Sequence, residues 1–189
     1  MLEAFLVSTG IVALAEIGDK TQLLALILVA RYRRATPIAV GILVATLANH
    51  GLAAAFGASV TALLGDEAMR WIVGLLFLAM AAWTLIPDRV SEGALQEPRS
   101  GVLIATMTAF FLAEIGDKTQ VATVALAARY AFTLAVVSGT TLGMMIANMP
   151  VVLAGERLLQ RVPMKAMRAL TAIGFTALGG SALLLFSPG

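Results

Sequence analysis

Apolar residues fill this chain in six long stretches, roughly 4–30, 37–64, 71–86, 101–128, 133–154 and 166–186, separated by short polar breaks. Most stretches reach the 20 or so residues that a helix needs to cross a bilayer's hydrocarbon core. The third is shorter and must borrow from its flanks. Their length and lack of alternation predict helix, because a strand left unpaired in lipid would have no partners for its backbone. The pattern therefore predicts an all-α integral membrane protein with six transmembrane helices. The break at 87–100 holds Asp88, Arg89, Glu92, Glu97 and Arg99 with two prolines and a glycine, and reads as a solvated linker. Residues 1–189 then form one membrane domain, with a first repeat over 1–86 and a second over 101–189.

Composition supports that reading. Of 189 residues, 60% are hydrophobic and 13% charged, against about 25% charged in a typical soluble domain. There is no cysteine, which removes disulfides, thiol catalysis and thiolate metal ligands. Met1-Leu2-Glu3 offers no positive start, so the first stretch reads as a spanning helix and not as a cleavable leader. If all six stretches cross, Arg31, Arg33, Arg34, Arg89, Arg99, Arg157, Arg161, Lys165 and Arg168 share one side, while Arg70 and Arg129 lie on the other. Positive charge gathers on the cytoplasmic side, so both termini are expected outside the cytoplasm.

The chain also repeats itself. Leu14 to Gln22 read Leu-Ala-Glu-Ile-Gly-Asp-Lys-Thr-Gln, and Leu112 to Gln120 read the same. That offset of 98 residues also aligns Arg31-Tyr32 with Arg129-Tyr130 and Gly41 with Gly139. An odd number of crossings per half makes the halves run in opposite directions, as two inverted three-helix repeats. A second correspondence, at an offset of 99, sets Asn49-His50-Gly51 opposite Asn148-Met149-Pro150. Each asparagine there stands two residues before a helix breaker, at a kink for packing or at backbone that lines a cavity.

The repeated motif carries the chemistry. Glu16 and Glu114 fall about halfway along their stretches, near mid-membrane depth. On a continuous helix, Asp19 and Lys20 would flank Glu16 on one face, with Gly18 between them permitting close approach or a local break. Each charge at a helix centre costs about 2.5–3.5 kcal/mol, so six facing lipid would cost roughly 15–20 kcal/mol. They must face one another or water, and one shared site is the economical arrangement. Glu16, Asp19, Glu114 and Asp117 less the charges of Lys20 and Lys118 leave a net charge of −2. A divalent cation would neutralise it, and so would two protons. The acids, with Thr21, Thr119, Gln22, Gln120, Asn49 and Asn148 as further candidate ligands, make an oxygen site suited to Ca²⁺, Mg²⁺ or Mn²⁺. The bland alternative is a pair of internal salt bridges that only hold helices together.

Other residues say less. His50, the sole histidine, is a candidate proton relay or an interhelical polar contact. Met144, Met145 and Met149 read as packing, Trp71 and Trp83 as interfacial anchors, and Glu156 and Arg157 as solvated. Gly174, Gly179 and Gly180 suggest close helix contact, within the chain or in a homo-oligomer.

The twice-repeated Glu-x-Gly-Asp-Lys-Thr, at Glu16–Thr21 and Glu114–Thr119, resembles the signature of cation/proton exchangers that include bacterial manganese exporters of the MneA and Mnx type and Golgi manganese/calcium transporters. The resemblance covers essentially the full chain. It implies transport of Mn²⁺ or Ca²⁺ driven by protons, with the motif acids as cation site, no cofactor beyond the transported ion, and no nucleic-acid partner. In bacteria it implies Mn²⁺ efflux across the cytoplasmic membrane. Two rivals stand beside it. An intramembrane lipid-diphosphate phosphatase would want arginines in the cavity, and an exporter of amino acids would need fewer acids.

Overall fold

A computed structural model describes residues 1–86, 101–154 and 163–185. Among them are eight helices: α1 Leu2–Glu16, α2 Lys20–Tyr32, α3 Ala35–Leu64, α4 Asp66–Thr84, α5 Gly101–Glu114, α6 Lys118–Arg129, α7 Thr133–Ala154 and α8 Met164–Leu185. Four of them, α3, α4, α7 and α8, contain spans long and apolar enough to cross a membrane. The expected linker at 87–100 lies outside the described residues, as do Glu156, Arg157 and the cationic Arg89, Arg99 and Arg161.

The first and fourth apolar stretches differ from the expectation of single helices. Each is broken at its motif, into α1 and α2 and into α5 and α6. The cause is local. Ile17 turns extended after Glu16, Gly18 takes φ 82°, and Asp19 is extended again as N-cap of α2. Gly116 takes φ 72° and Asp117 caps α6 in the same way. That positive φ suits glycine and strains other residues. Conversely, α3 and α7 run unbroken past the expected breakers at Gly51 and Pro150. The third stretch borrows from its N-terminal flank, as expected: α4 starts at Asp66, directly after Gly65 at φ 75°.

Small residues set how the helices meet. A Cβ on Gly139 of α7 would stand 2.5 Å from the carbonyl oxygen of Phe5 and 3.0 Å from Cβ of Ser8. Gly143 packs on Thr9, Val12 and Ala13, so α7 rises parallel to α1. The other half repeats the contact with the roles exchanged. Gly41 of α3 packs on Leu103 and Thr106 of α5, Gly57 on Val124 of α6, and Thr61 lies against Ala128. Since α3 runs parallel to both α5 and α6, those two short helices follow one another in the same direction as one interrupted rod.

Phe5 with Leu103, Ser8 with Thr106 and Gly41 with Gly139 all obey the 98-residue offset. Neither α3 nor α7 contains an interruption, so the same offset holds one helix later. Asn148 is thus the counterpart of His50, and Asn49 that of Ala147. The 99-residue pairing of the two asparagines is corrected.

The last helices, α4 and α8, pack together, with Phe77 and Phe175 stacked at 6.1 Å between ring centres. A Cβ on Gly179 would stand 2.9 Å from the Gly74 carbonyl oxygen, and one on Gly174 would stand 2.7 Å from Cδ1 of Ile11. Those two glycines serve contacts inside the chain, whereas Gly180 has open space around it. Trp71 and Trp83 are exposed, and exposed leucines, isoleucines and phenylalanines cover the outside, as a surface facing lipid requires. Met144 is buried, and Met145 and Met149 pack against the core as expected.

Candidate cation site between the broken helices

Four short helices end or begin at the centre. The C-termini of α1 and α5 bring the negative end of a helix dipole there, and the N-termini of α2 and α6 bring the positive end. Asp19 accepts a 2.7 Å bond from the Lys20 backbone N–H, and Asp117 accepts from the Thr119 backbone N–H at 3.4 Å. Three residues into each helix a glutamine reaches back: Gln22 Oε1 accepts from Gly18 N–H at 2.8 Å, and Gln120 Oε1 from Gly116 N–H at 2.7 Å. This is an Asp-x-x-Gln variant of the capping box. The acid that could bind a cation therefore also starts the helix.

The glutamines tie the breaks to the neighbouring repeat. Gln22 Nε2 donates to the Ala147 carbonyl at 2.6 Å, and Gln120 Nε2 donates to Asn49 Oδ1 at 3.1 Å. Asn49 then donates from Nδ2 to the Phe111 carbonyl at 3.0 Å. Gln22→Leu removes both bonds while keeping the side-chain volume. It is expected to cost about 1–3 kcal/mol of stability through the stranded Ala147 and Gly18 groups, measured as a lowered thermal midpoint in detergent.

All four acids are buried. Thr21 donates to Glu16 Oε2, and Thr119 donates to Glu114 Oε2 at 3.0 Å. Glu16 lies within electrostatic reach of Glu114, Asp117 and Lys118, and Glu114 within reach of Asp117, Asp19 and Lys20. One oxygen each from Glu16, Asp19 and Asp117 lie within 4.8 Å of one another. Ligands at about 2.3–2.6 Å from a Ca²⁺ ion would be separated by no more than roughly 5 Å, so these three nearly fit a hard cation as they stand. Glu114 stands beside this trio and not in it. Oε1 of Glu16, Oε1 of Glu114 and Oδ1 of Asn148 are buried and accept no hydrogen bond, an expensive condition for oxygen.

Each lysine forms an ion pair with an aspartate of the other repeat, which a purely local salt bridge would not give. Lys20 Nζ is 2.7 Å from Asp117 Oδ1, and Lys118 Nζ is 3.2 Å from Asp19 Oδ1. The two repeats are cross-tied by a pair of ion pairs.

Among the further candidate ligands, Thr21, Thr119, Gln22 and Gln120 bond within the motifs. Asn49 is committed through both ends of its amide. Asn148 spends only Nδ2, on the Met144 carbonyl and sulfur at 3.0 Å each. His50 is fully buried with both ring nitrogens lacking a hydrogen-bond partner, and it does not join the acidic trio.

Buried paired acids between interrupted helices define a cation transporter. The chain matches the sequence profile of the divalent cation/proton antiporter GDT1 over residues 4–92 and 102–186. It belongs to that family, and it is a divalent cation/proton antiporter, not an enzyme. A Vibrio cholerae serotype O1 protein named "Putative manganese exporter" is 48% identical over 173 residues, covering 91% of this chain and 86% of the relative. No solved structure matches the chain.

Proposed function

We propose that the chain exports Mn²⁺ across a bacterial cytoplasmic membrane in exchange for protons, using six crossings arranged as two inverted repeats, 1–86 and 101–189, around one site. The observation that carries this is the clustering of Glu16, Asp19 and Asp117 oxygens within 4.8 Å between helix ends from both repeats. Mn²⁺ is favoured by the name of the Vibrio relative, and an all-oxygen ligand set accepts it as readily as Ca²⁺. The parallel run of α1 with α7 and of α3 with α5 supports inversion, because the helix after each broken rod then returns alongside its partner repeat. The exposed Arg31, Arg33 and Arg34 support a cytoplasmic placement for the α2–α3 turn and outside placement for the termini.

Glu16, Asp19 and Asp117 hold the metal, with Asn148 Oδ1 as the available amide ligand and Glu114 as the fourth charge. Asn49 acts as scaffold. Against the two lysines the four acids leave two negative charges, which one M²⁺ or two protons cancel. The same central volume thus accepts either cargo in turn. The solute-exporter reading leaves this surplus charge unexplained.

The test is purified protein in proteoliposomes with an imposed pH gradient. Mn²⁺ movement against the proton flow, with Ca²⁺ carried less well, is the expected result. Transport of Ca²⁺ in preference to Mn²⁺ would overturn the substrate assignment, and Mn²⁺ flux indifferent to the proton gradient would overturn exchange.

A further inference from the structure

The crossed ion pairs are unequal. Asp19 and Lys118 are both enclosed, with side chains 0% and 4% exposed, while Lys20 keeps 26% of its side chain exposed beside an Asp117 that is 3% exposed. Part of the Lys20 side chain is therefore uncovered, and its ammonium could leave Asp117 on that side only towards water, because hydrocarbon would not take it cheaply. Asp117 has both oxygens engaged: Oδ1 by Lys20, and Oδ2 by the backbone N–H and the hydroxyl of Thr119, the latter at 3.3 Å. Yet Asp117 is one of the three carboxylates close enough to share a cation.

We propose that the Lys20 ammonium is a resident cation on Asp117 that the incoming divalent ion must displace, so that Lys20 sets metal affinity while Lys118 stays fixed on Asp19. This rests on the cation-site reading above. A divalent ion on either oxygen of Asp117 would crowd the ammonium held on the same carboxylate, and the two would repel strongly. Of the two lysines, only Lys20 has somewhere to go. Its release also unties one of these two ion pairs between the repeats, so metal binding and a loosening of the repeats against one another arise from one event. The resident ammonium keeps Asp117 from standing as a bare buried charge between cargoes.

The experiment is Mn²⁺ binding to the purified full-length protein by titration calorimetry, at fixed neutral pH and ionic strength. The proteins are wild type, Lys20→Gln, Lys20→Arg, Lys118→Gln and Asp117→Asn. Lys20→Gln should tighten binding by roughly fivefold, the scale of a part-exposed ion pair. Lys20→Arg should restore the wild-type affinity, and Lys118→Gln should give no such gain. Unchanged or weaker binding in Lys20→Gln overturns the proposal, as does equal tightening in Lys118→Gln, which would reflect charge alone. If Lys118→Gln does not fold, the Gln and Arg variants of Lys20 decide between them. Asp117→Asn separates the two readings. Wild-type binding there removes the cation site itself, whereas its loss beside an unaltered Lys20→Gln removes only the role given to Lys20.

Discussion

Asp117→Asn is expected to stop exchange, cutting Mn²⁺ flux in proteoliposomes on the order of 100-fold or more. Perturbing the outer shell of a metal site commonly costs 10–100-fold in affinity, and Asp117 is a candidate direct ligand that also caps α6 and holds Lys20. Asparagine can still cap a helix, so α6 should still form and the loss should be one of charge. The variant leaves Lys20 without its counter-ion. Adding Lys20→Met should recover lost thermal stability without recovering transport. Flux that survives Asp117→Asn would dismiss the residue from the site.

Gly139→Val should be among the most damaging single changes away from the acids. Already the first carbon of the new side chain would lie 2.5 Å from a backbone oxygen of α1, and neither helix can yield locally. Overpacking of this kind costs about 1–3 kcal/mol, and the two further methyl groups push it to the top of that range. The expected readouts are a lower thermal midpoint in detergent and reduced yield of monodisperse protein. Gly180→Ala is the contrast. Nothing stands near its Cβ, and alanine favours helix by up to about 1 kcal/mol, so the midpoint should hold or rise. Equal loss in both variants would show that the α1–α7 contact does not set stability.

Hydropathy made the four long apolar helices legible, and the duplicated motif made the acids legible. The charge sum that called for a shared centre needed only those residues and the cost of burying them. What stayed open was the break in each motif helix, one of two roles the sequence left to Gly18. Apolar residues continue on both sides of Glu16 and Glu114, so the hydropathy pattern alone shows one long helix. The signal was nonetheless present as Gly18-Asp19 followed by Gln22, a glycine, an N-cap and its reciprocal glutamine inside an apolar run. Pro150 and Gly51 pulled the other way, since a proline within a membrane helix can be accommodated by its surroundings. The crossed lysines were beyond any local reading, because i and i+4 spacing argues for Lys20 beside Glu16 only while the helix is whole. Once the chain turns at Gly18, Lys20 and Lys118 are freed to reach across. The asparagine pairing failed for a related reason. Matching residue types drew the two asparagines together, whereas an unbroken helix from Gly41 onward keeps count.

The crossed ties carry a consequence for the chain's ancestry and for cutting it in two. Each half brings an aspartate that is ion-paired with a lysine of the other half. Produced alone, either half would expose its orphaned aspartate and lysine to lipid. Because the motifs are identical, a half-length polypeptide in the proposed inverted arrangement could satisfy itself by meeting a sister copy inserted upside down, Asp to Lys and Lys to Asp. Two separately made halves should therefore find each other in the bilayer, and a single gene encoding only one would need to thread its product in both orientations.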